Sequence, residues 1–255
     1  MTAGEALRRK TNVFGGKNRK VWYAILRTKR EVGDTVEILR IKYADTTLEE
    51  SRFFPGGEKT KRIPIIFSVF LVKTREKIIL VDAGCETMPS FEMENFRTPM
   101  EVLREYGIRE EDVTDVIITH AHHDHTQCAK YFPGAMIHIQ EDEYARGSRH
   151  LTENPRISTF REETTVEEGV RVVCIGGHTK GSCIVECSYG DDIFVLCGDE
   201  CYSRRNLLER IPTGASVSPD HSRAFVEKYS AEPYICLLSH EYGEEERLPG
   251  SENRK

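Results

Sequence analysis

The stretch that decides the fold is DVIITHAHHDH, Asp115 to His125. Its first half is a run of β-branched residues at strand length, and its second half packs four histidines and a carboxylate into the six residues His120 to His125. A buried strand that empties directly into a histidine-rich loop is an arrangement for mounting chemistry at a strand end. His120 and His122 lie two apart, so an extended backbone turns both imidazoles to one side, while Asp124 and His125 can reach a second position where a helix begins. One short segment can thereby feed two metal ions. Imidazole with carboxylate suits Zn²⁺, Fe, Mn or Co, and the lack of thiolate at this spacing speaks against a structural zinc finger. We expect a catalytic site.

Working outward, TVEILRIKYA, IPIIFSVFLVK and KIILVDAG precede the motif as strands, after a first strand-like run VWYAILR at Val21 to Arg27. PMEVLREYG, from Pro99 to Gly107, spaces Val102, Leu103 and Tyr106 at helical intervals and ends on a Gly suited to a C-cap. Beyond the motif, AMIHIQ, VRVVCIGG, SCIVECS, DIFVLCGD and YICLLSH are strand candidates, and EDEYARG and SRAFVEKYS helix candidates. Two strand-rich halves with interspersed helices predict a layered α/β sandwich. One domain is expected over 21–245, between a flexible N-terminal arm over 1–20 and a loose tail over 246–255.

Composition narrows the partners. The net charge of -6 lacks the broad basic field that holds nucleic acid, so no nucleic-acid partner is expected. The longest apolar-rich stretch, Ile63 to Val72, falls far short of the ~20 residues that cross a bilayer, and no membrane segment is expected. The eight cysteines come with no export-like N-terminal apolar stretch, which points to free thiols in a reducing cytoplasm. They sit mostly in strand-like runs, where Cys behaves as a small hydrophobe rather than a nucleophile. No GxSxG elbow offers a serine mechanism, and Gly56-Gly57 or Gly176-Gly177 are too slight to suggest a nucleotide loop.

Five of the nine histidines fall at strand ends or junctions: His120, His122, His125, His178 in GGHTKGS and His240 in LLSHE. Each alone could be an ordinary solvated loop histidine, but core packing would not gather all five there. Asp82 in ILVDAG and Asp199 in VLCGD close apolar strands with a carboxylate that can enter a cleft as ligand or as the partner of one.

From Asp82 to His240 these residues resemble, in motif order, the metallo-β-lactamase superfamily. The resemblance implies an αββα four-layer sandwich with the site at one edge of the two sheets. It implies that His120, His122 and His178 hold one divalent ion and Asp124, His125 and His240 a second, that Asp199 bridges them, and that Asp82 orients the cluster without being a ligand. Two ions, Zn²⁺ by expectation with Fe, Mn or Co able to fill the same set, would share a bridging hydroxide that attacks the substrate.

Within the superfamily the chain is most similar to the N-acyl homoserine lactonases, quorum-quenching enzymes that open a small-molecule lactone. Tyr202 in GDECYS matches their tyrosine that donates to the carbonyl oxygen as charge develops, and HIQEDEY at His138 to Tyr144 resembles the segment after their histidine motif. Asp124 then serves as both ligand and proton shuttle. The chain departs from them at His123, at Thr126-Gln127 and at Lys180, and His123 and Lys180 are expected to border the pocket and favour a substrate bearing a carboxylate or phosphate. The function expected is a lactone- or ester-cleaving hydrolase. A phosphodiester or thioester hydrolase on the same site is the alternative within this chemistry, and a di-iron oxidoreductase or metal-binding sensor the alternative outside it.

Overall fold

The computed structural model describes residues 23–25, 36–89, 92–151 and 154–242. The arm expected over 1–20 and the tail expected over 246–255 lie outside them. In chain order the elements are β1 (Tyr23–Ile25), β2 (Glu37–Glu49), α1 (Glu50–Phe53), β3 (Arg62–Lys73), β4 (Ile78–Val81), α2 (Pro99–Glu105), β5 (Asp115–Ile118), α3 (His123–Thr126), β6 (Met136–Gln140), α4 (Glu141–Gly147) and β7 (Ile157–Phe160). There follow β8 (Glu163–Glu167), β9 (Val170–Cys174), β10 (Cys183–Tyr189), β11 (Asp192–Leu196), α5 (Arg204–Glu209), α6 (Pro219–Tyr229) and β12 (Tyr234–Leu237).

Two sheets form. The first runs β1-β2-β3-β4-β5-β6-β7, and the second β12-β11-β10-β9-β8. β1 through β4 pair antiparallel, whereas the segments carrying α2, α3 and α4 return the chain to the same edge and make β4 through β7 parallel. In the second sheet only β11 and β12 are parallel, joined by the segment that carries α5 and α6.

Alternation along each strand builds the layers. In β5, Val116 and Ile118 face a cluster that includes Met100 and Leu103 of α2, while Ile117 faces Val185 and Leu196 of the other sheet. In β10, Val185 and Cys187 enter that shared inter-sheet core while Ile184 packs beneath Leu207, Phe225 and Val226 of α5 and α6. Strands buried on both faces read as continuous apolar runs, which is why DVII and IILV show no polar alternation. Each such side chain removed from water contributes ~1.5–3 kcal/mol. The result is the expected α-β-β-α sandwich.

The helices stop and start where the local chemistry dictates. Thr98 and Glu101 close a reciprocal cap around the first turn of α2, with Pro99 at its first position, and Gly107 just beyond it takes φ +73°. α6 begins at Pro219, earlier than the expected SRAFVEKYS, because the Ser218 hydroxyl accepts from the His221 N–H.

Candidate functional site

The chemistry-bearing residues stand at the same end of both sheets. β4 ends at Val81 and is followed by Asp82; β5 ends at Ile118 and is followed by Thr119 and His120. The β9–β10 loop carries His178, the turn after β11 carries Asp199, and the turn after β12 carries His240.

Asp82 sits at φ +60°, a left-handed conformation that a non-glycine residue adopts at some cost. That turn aims its carboxylate back at the motif, where it accepts from the Thr119 N–H at 2.8 Å, the Thr119 hydroxyl at 2.9 Å and His125 Nδ1 at 2.8 Å. The backbone repeats the tie, since the Ala83 N–H donates to the His125 carbonyl.

These partners decide the tautomers. His178 Nδ1 donates to the Ala215 carbonyl at 2.6 Å, His240 Nδ1 to the Ile66 carbonyl at 2.9 Å, and His125 Nδ1 to Asp82. The Thr119 hydroxyl gives its proton to Asp82, so it can only accept from His120 Nδ1 at 3.2 Å. A neutral imidazole has one N–H, and in all four rings it is already used on the Nδ1 side. Four Nε2 lone pairs are therefore left pointing inward.

They converge on another ring nitrogen and on carboxylate oxygens. His120 Nε2 and His178 Nε2 stand 2.8 and 3.0 Å from His122 Nδ1, and 3.6 and 3.2 Å from Asp199 Oδ2. His240 Nε2 and His125 Nε2 stand 2.9 and 3.3 Å from the other oxygen of the same carboxylate, Oδ1. His125 Nε2 is also 3.5 Å from Asp124 Oδ2 and, though buried, has no hydrogen-bond partner. Ring nitrogens and carboxylate oxygens at such distances need a proton or a cation between them, and imidazole with carboxylate in this arrangement is a donor set that fits metal ions. Among the described residues, two groups of ligand-type atoms, each mutually within 4.8 Å, meet this description: His120, His122, His178 and Asp199, and Asp124, His125 and His240.

The carboxylates draw positive charge to the same places. Burial holds His120 well below the usual imidazole range. Burial would likewise depress His125 and His240, but the carboxylates of Asp82, Asp124 and Asp199 around His125, and of Asp199 beside His240, pull both above it. Burial pushes the Asp199 carboxyl up, yet the surrounding imidazoles hold it well below the carboxylate range. The pocket favours positive charge.

Tyr202 is buried with its hydroxyl donating to Asp199 Oδ2 at 2.5 Å and its ring stacked on His240, centroids 5.6 Å apart. Burial, reinforced by the Asp199 charge, raises its pKa well above that of a free phenol, so it remains a donor. The two pocket candidates lie differently. His123 packs edge-on against His150 at 5.2 Å between centroids, its Nε2 buried without a partner. Lys180 extends into solvent, 76% exposed, and pairs with Asp142 at 3.1 Å.

Sequence reasoning missed two buried carboxylates. Glu143 lies in the first turn of α4, and Glu200 directly follows Asp199. Glu200 Oε1 accepts from the N–H groups of Gly177 and His178 and from the Ser182 hydroxyl, tying the His178 loop to the Asp199 turn; burial raises its carboxyl to about 7. A Cβ on Gly177 would come 2.3 Å from Glu200 Oε2, which explains the glycine before His178. Adjacency to Asp199 was the only signal for Glu200, and Glu143 reads in sequence as an ordinary first-turn acid.

Residues 65–234 match the family model described as the metallo-beta-lactamase superfamily. The chain is 24% identical over 190 residues to the N-acyl homoserine lactonase AiiB of Agrobacterium fabrum, the match covering 58% of this chain and 67% of that protein. It is 24% identical over 186 residues to a probable metallo-hydrolase of Mycobacterium bovis, covering 57% of this chain and 60% of that one. Among solved structures, a quorum-quenching N-acyl homoserine lactone lactonase superposes with a TM-score of 0.70 at 19% identity, over 84% of this chain and 94% of its own. The dizinc quorum-quenching lactonase AidC, in complex with a homoserine product, superposes with a TM-score of 0.67 at 19% identity, over 83% of this chain and 90% of its own.

Proposed function

The chain belongs to the metallo-β-lactamase superfamily and is a metal-dependent hydrolase, and from that premise we propose that it opens a lactone or cleaves a related ester with two divalent ions held by His120, His122, His178, Asp124, His125 and His240 and shared by Asp199. The observation that carries the reading is the division of Asp199, whose Oδ2 faces His120 and His178 while its Oδ1 faces His125 and His240. A carboxylate so placed serves two ions at once. Zn²⁺ suits an imidazole-rich set, with Fe, Mn and Co as alternatives. When bound, such ions supply Lewis acidity toward the substrate oxygen and a water acidified toward neutral pH.

The chain's own residues do the rest. Asp82 fixes the tautomer and orientation of His125 through Nδ1, and the Ala215 and Ile66 carbonyls do the same for His178 and His240. The Tyr202 hydroxyl, held neutral and aimed at the cluster, is the donor for an oxyanion developing on the ester carbonyl. Asp124, whose side chain is 14% exposed at the edge of the cluster, is placed to return a proton to the leaving alkoxide. The Lys180–Asp142 pair at the surface leaves the preference for an ester resting on Tyr202 rather than on an anion-binding lysine.

The test is a panel of lactone, simple ester, thioester and phosphodiester substrates given to the metal-reconstituted protein. Lactone or ester turnover well above the others is expected. Ready phosphodiester cleavage with no lactone turnover would overturn the choice of bond.

A further inference from the structure

The three-histidine half of the site is assembled from elements that no strand pairing holds together. His120 and His122 follow β5 in the seven-stranded sheet, and His178 stands between β9 and β10 in the five-stranded one. Yet His120 Nε2 and His178 Nε2 come within 2.8 and 3.0 Å of His122 Nδ1. One backbone bond helps, from the Cys183 N–H to the Thr119 carbonyl. The other tie is a side chain.

Glu143, 1% exposed in α4, accepts from the Ala121 N–H at 2.8 Å with Oε2, and from the Thr179 hydroxyl at 2.7 Å and the Gly181 N–H at 2.9 Å with Oε1. Ala121 lies between His120 and His122, and Thr179 adjoins His178. One carboxylate thus grips both loops by their donors. The packing is built around the grip: a Cβ on Gly181 would fall 2.2 Å from Gln140 Oε1 and 3.0 Å from Glu143 Cγ, and one on Gly147 would fall 3.0 Å from Ala121 Cβ. Both loops need small residues to lie this close to α4. No bond joins Glu143 to Asp124, His125 or His240, which are placed instead through Asp82, Ile66 and the α3 backbone.

We propose that Glu143 is the positioning residue of the three-histidine half of the site, setting the affinity for the ion held by His120, His122 and His178 and leaving the other ion untouched. This rests on the two-ion reading above. All three partners are donors, so only a group that accepts on both oxygens satisfies them. Glu143→Gln keeps shape and removes charge, but whichever way the amide turns, its NH₂ faces a backbone N–H: Ala121 on one side or Gly181 on the other.

The experiment is competition of Zn²⁺ and of Co²⁺ against a chromophoric chelator, with the Co²⁺ d–d spectrum followed in parallel and the melting point of the chelated protein as the check on folding. Wild type should take two ions. Glu143→Gln should lose 10- to 100-fold in affinity for one ion only, in line with the usual effect of removing a ligand's supporting partner, whereas Asp82→Asn, which loosens His125 directly and His120 through Thr119, should weaken both. Thr179→Val, which deletes one of the three bonds, should shift the same ion as Glu143→Gln by a smaller factor, and it decides the matter if Glu143→Gln fails to fold. Wild-type affinity for both ions in Glu143→Gln, or equal loss at both, overturns this inference alone. A wild type that takes fewer than two ions overturns the reading of the site itself, and this inference with it.

Discussion

Tyr202 shows how much one residue's chemistry depends on what its partner is doing. Its hydroxyl has a single proton, and here that proton goes to Asp199 Oδ2. In the proposed reaction Asp199 would be drawn to cations, and the same donor would then serve an oxyanion while the ring keeps its place, tilted against Phe53 and stacked on His240. Tyr202→Phe preserves that stacking and deletes only the donor. It should lower turnover on the order of 10²-fold with metal content unchanged, measured as single-substrate kinetics beside metal analysis. An unchanged rate would remove Tyr202 from the catalytic step. The position of Tyr202 three residues after Asp199 made it readable from sequence. The surroundings of Lys180 were not, because a loop lysine is directed by whichever carboxylate the fold brings near, and here that is Asp142 on α4.

At the scale of elements, the end of β5 opposite the site carries its own polar cluster. Asp115 is buried, with Oδ1 2.8 Å from His138 Nε2 and 3.0 Å from Lys77 Nζ. Burial pushes its carboxyl up, but the bonds from His138 and Lys77 outweigh that and hold it at about 2. A folded-state pKa below the unfolded value means that the stabilisation is present above the unfolded pKa and lost as pH falls through the folded one. A shift of this size is worth about 2 kcal/mol, so Asp115→Asn should lower stability by about that much at neutral pH. The deficit against wild type should shrink between about pH 4 and pH 2, with metal content unaffected. Denaturant midpoints across that range check it, and a deficit that does not change with pH would point to packing instead of charge. The same scale separates what the sequence disclosed from what it hid. Strands buried on both faces announced themselves as apolar runs, and α2, α4 and α6 by period and caps. The short α1 and α5, of four and six residues, hold too few turns to show a helical period. β7 and β8 were missed because ISTF and ETTVE are short, polar and half exposed.

The whole molecule closes around a buried concentration of like charge. Asp82, Asp124 and Asp199 meet beneath rings whose inward nitrogens carry lone pairs, an arrangement that favours the metal-loaded state over the empty one. Histidine clustering made this legible in sequence, whereas the carbonyls that fix the tautomers, at Ile66 and Ala215, lie far from their partners along the chain and carry no side-chain signature. Because ligands come from both sheets, binding should stabilise the two together, consistent with the single domain proposed for 21–245. Each site filled at 100 times its dissociation constant adds ~2.7 kcal/mol, and for a chain of this size each kcal/mol moves the melting point by ~2–4 °C. Chelation should therefore lower the melting point by roughly 10–20 °C as one cooperative transition, and restoring metal to two ions per chain should recover it. Calorimetry with metal analysis on the same samples reads both quantities. Recovery complete at one ion per chain would show that Asp199 is not shared, and a second, metal-independent transition would show that the two sheets fold apart.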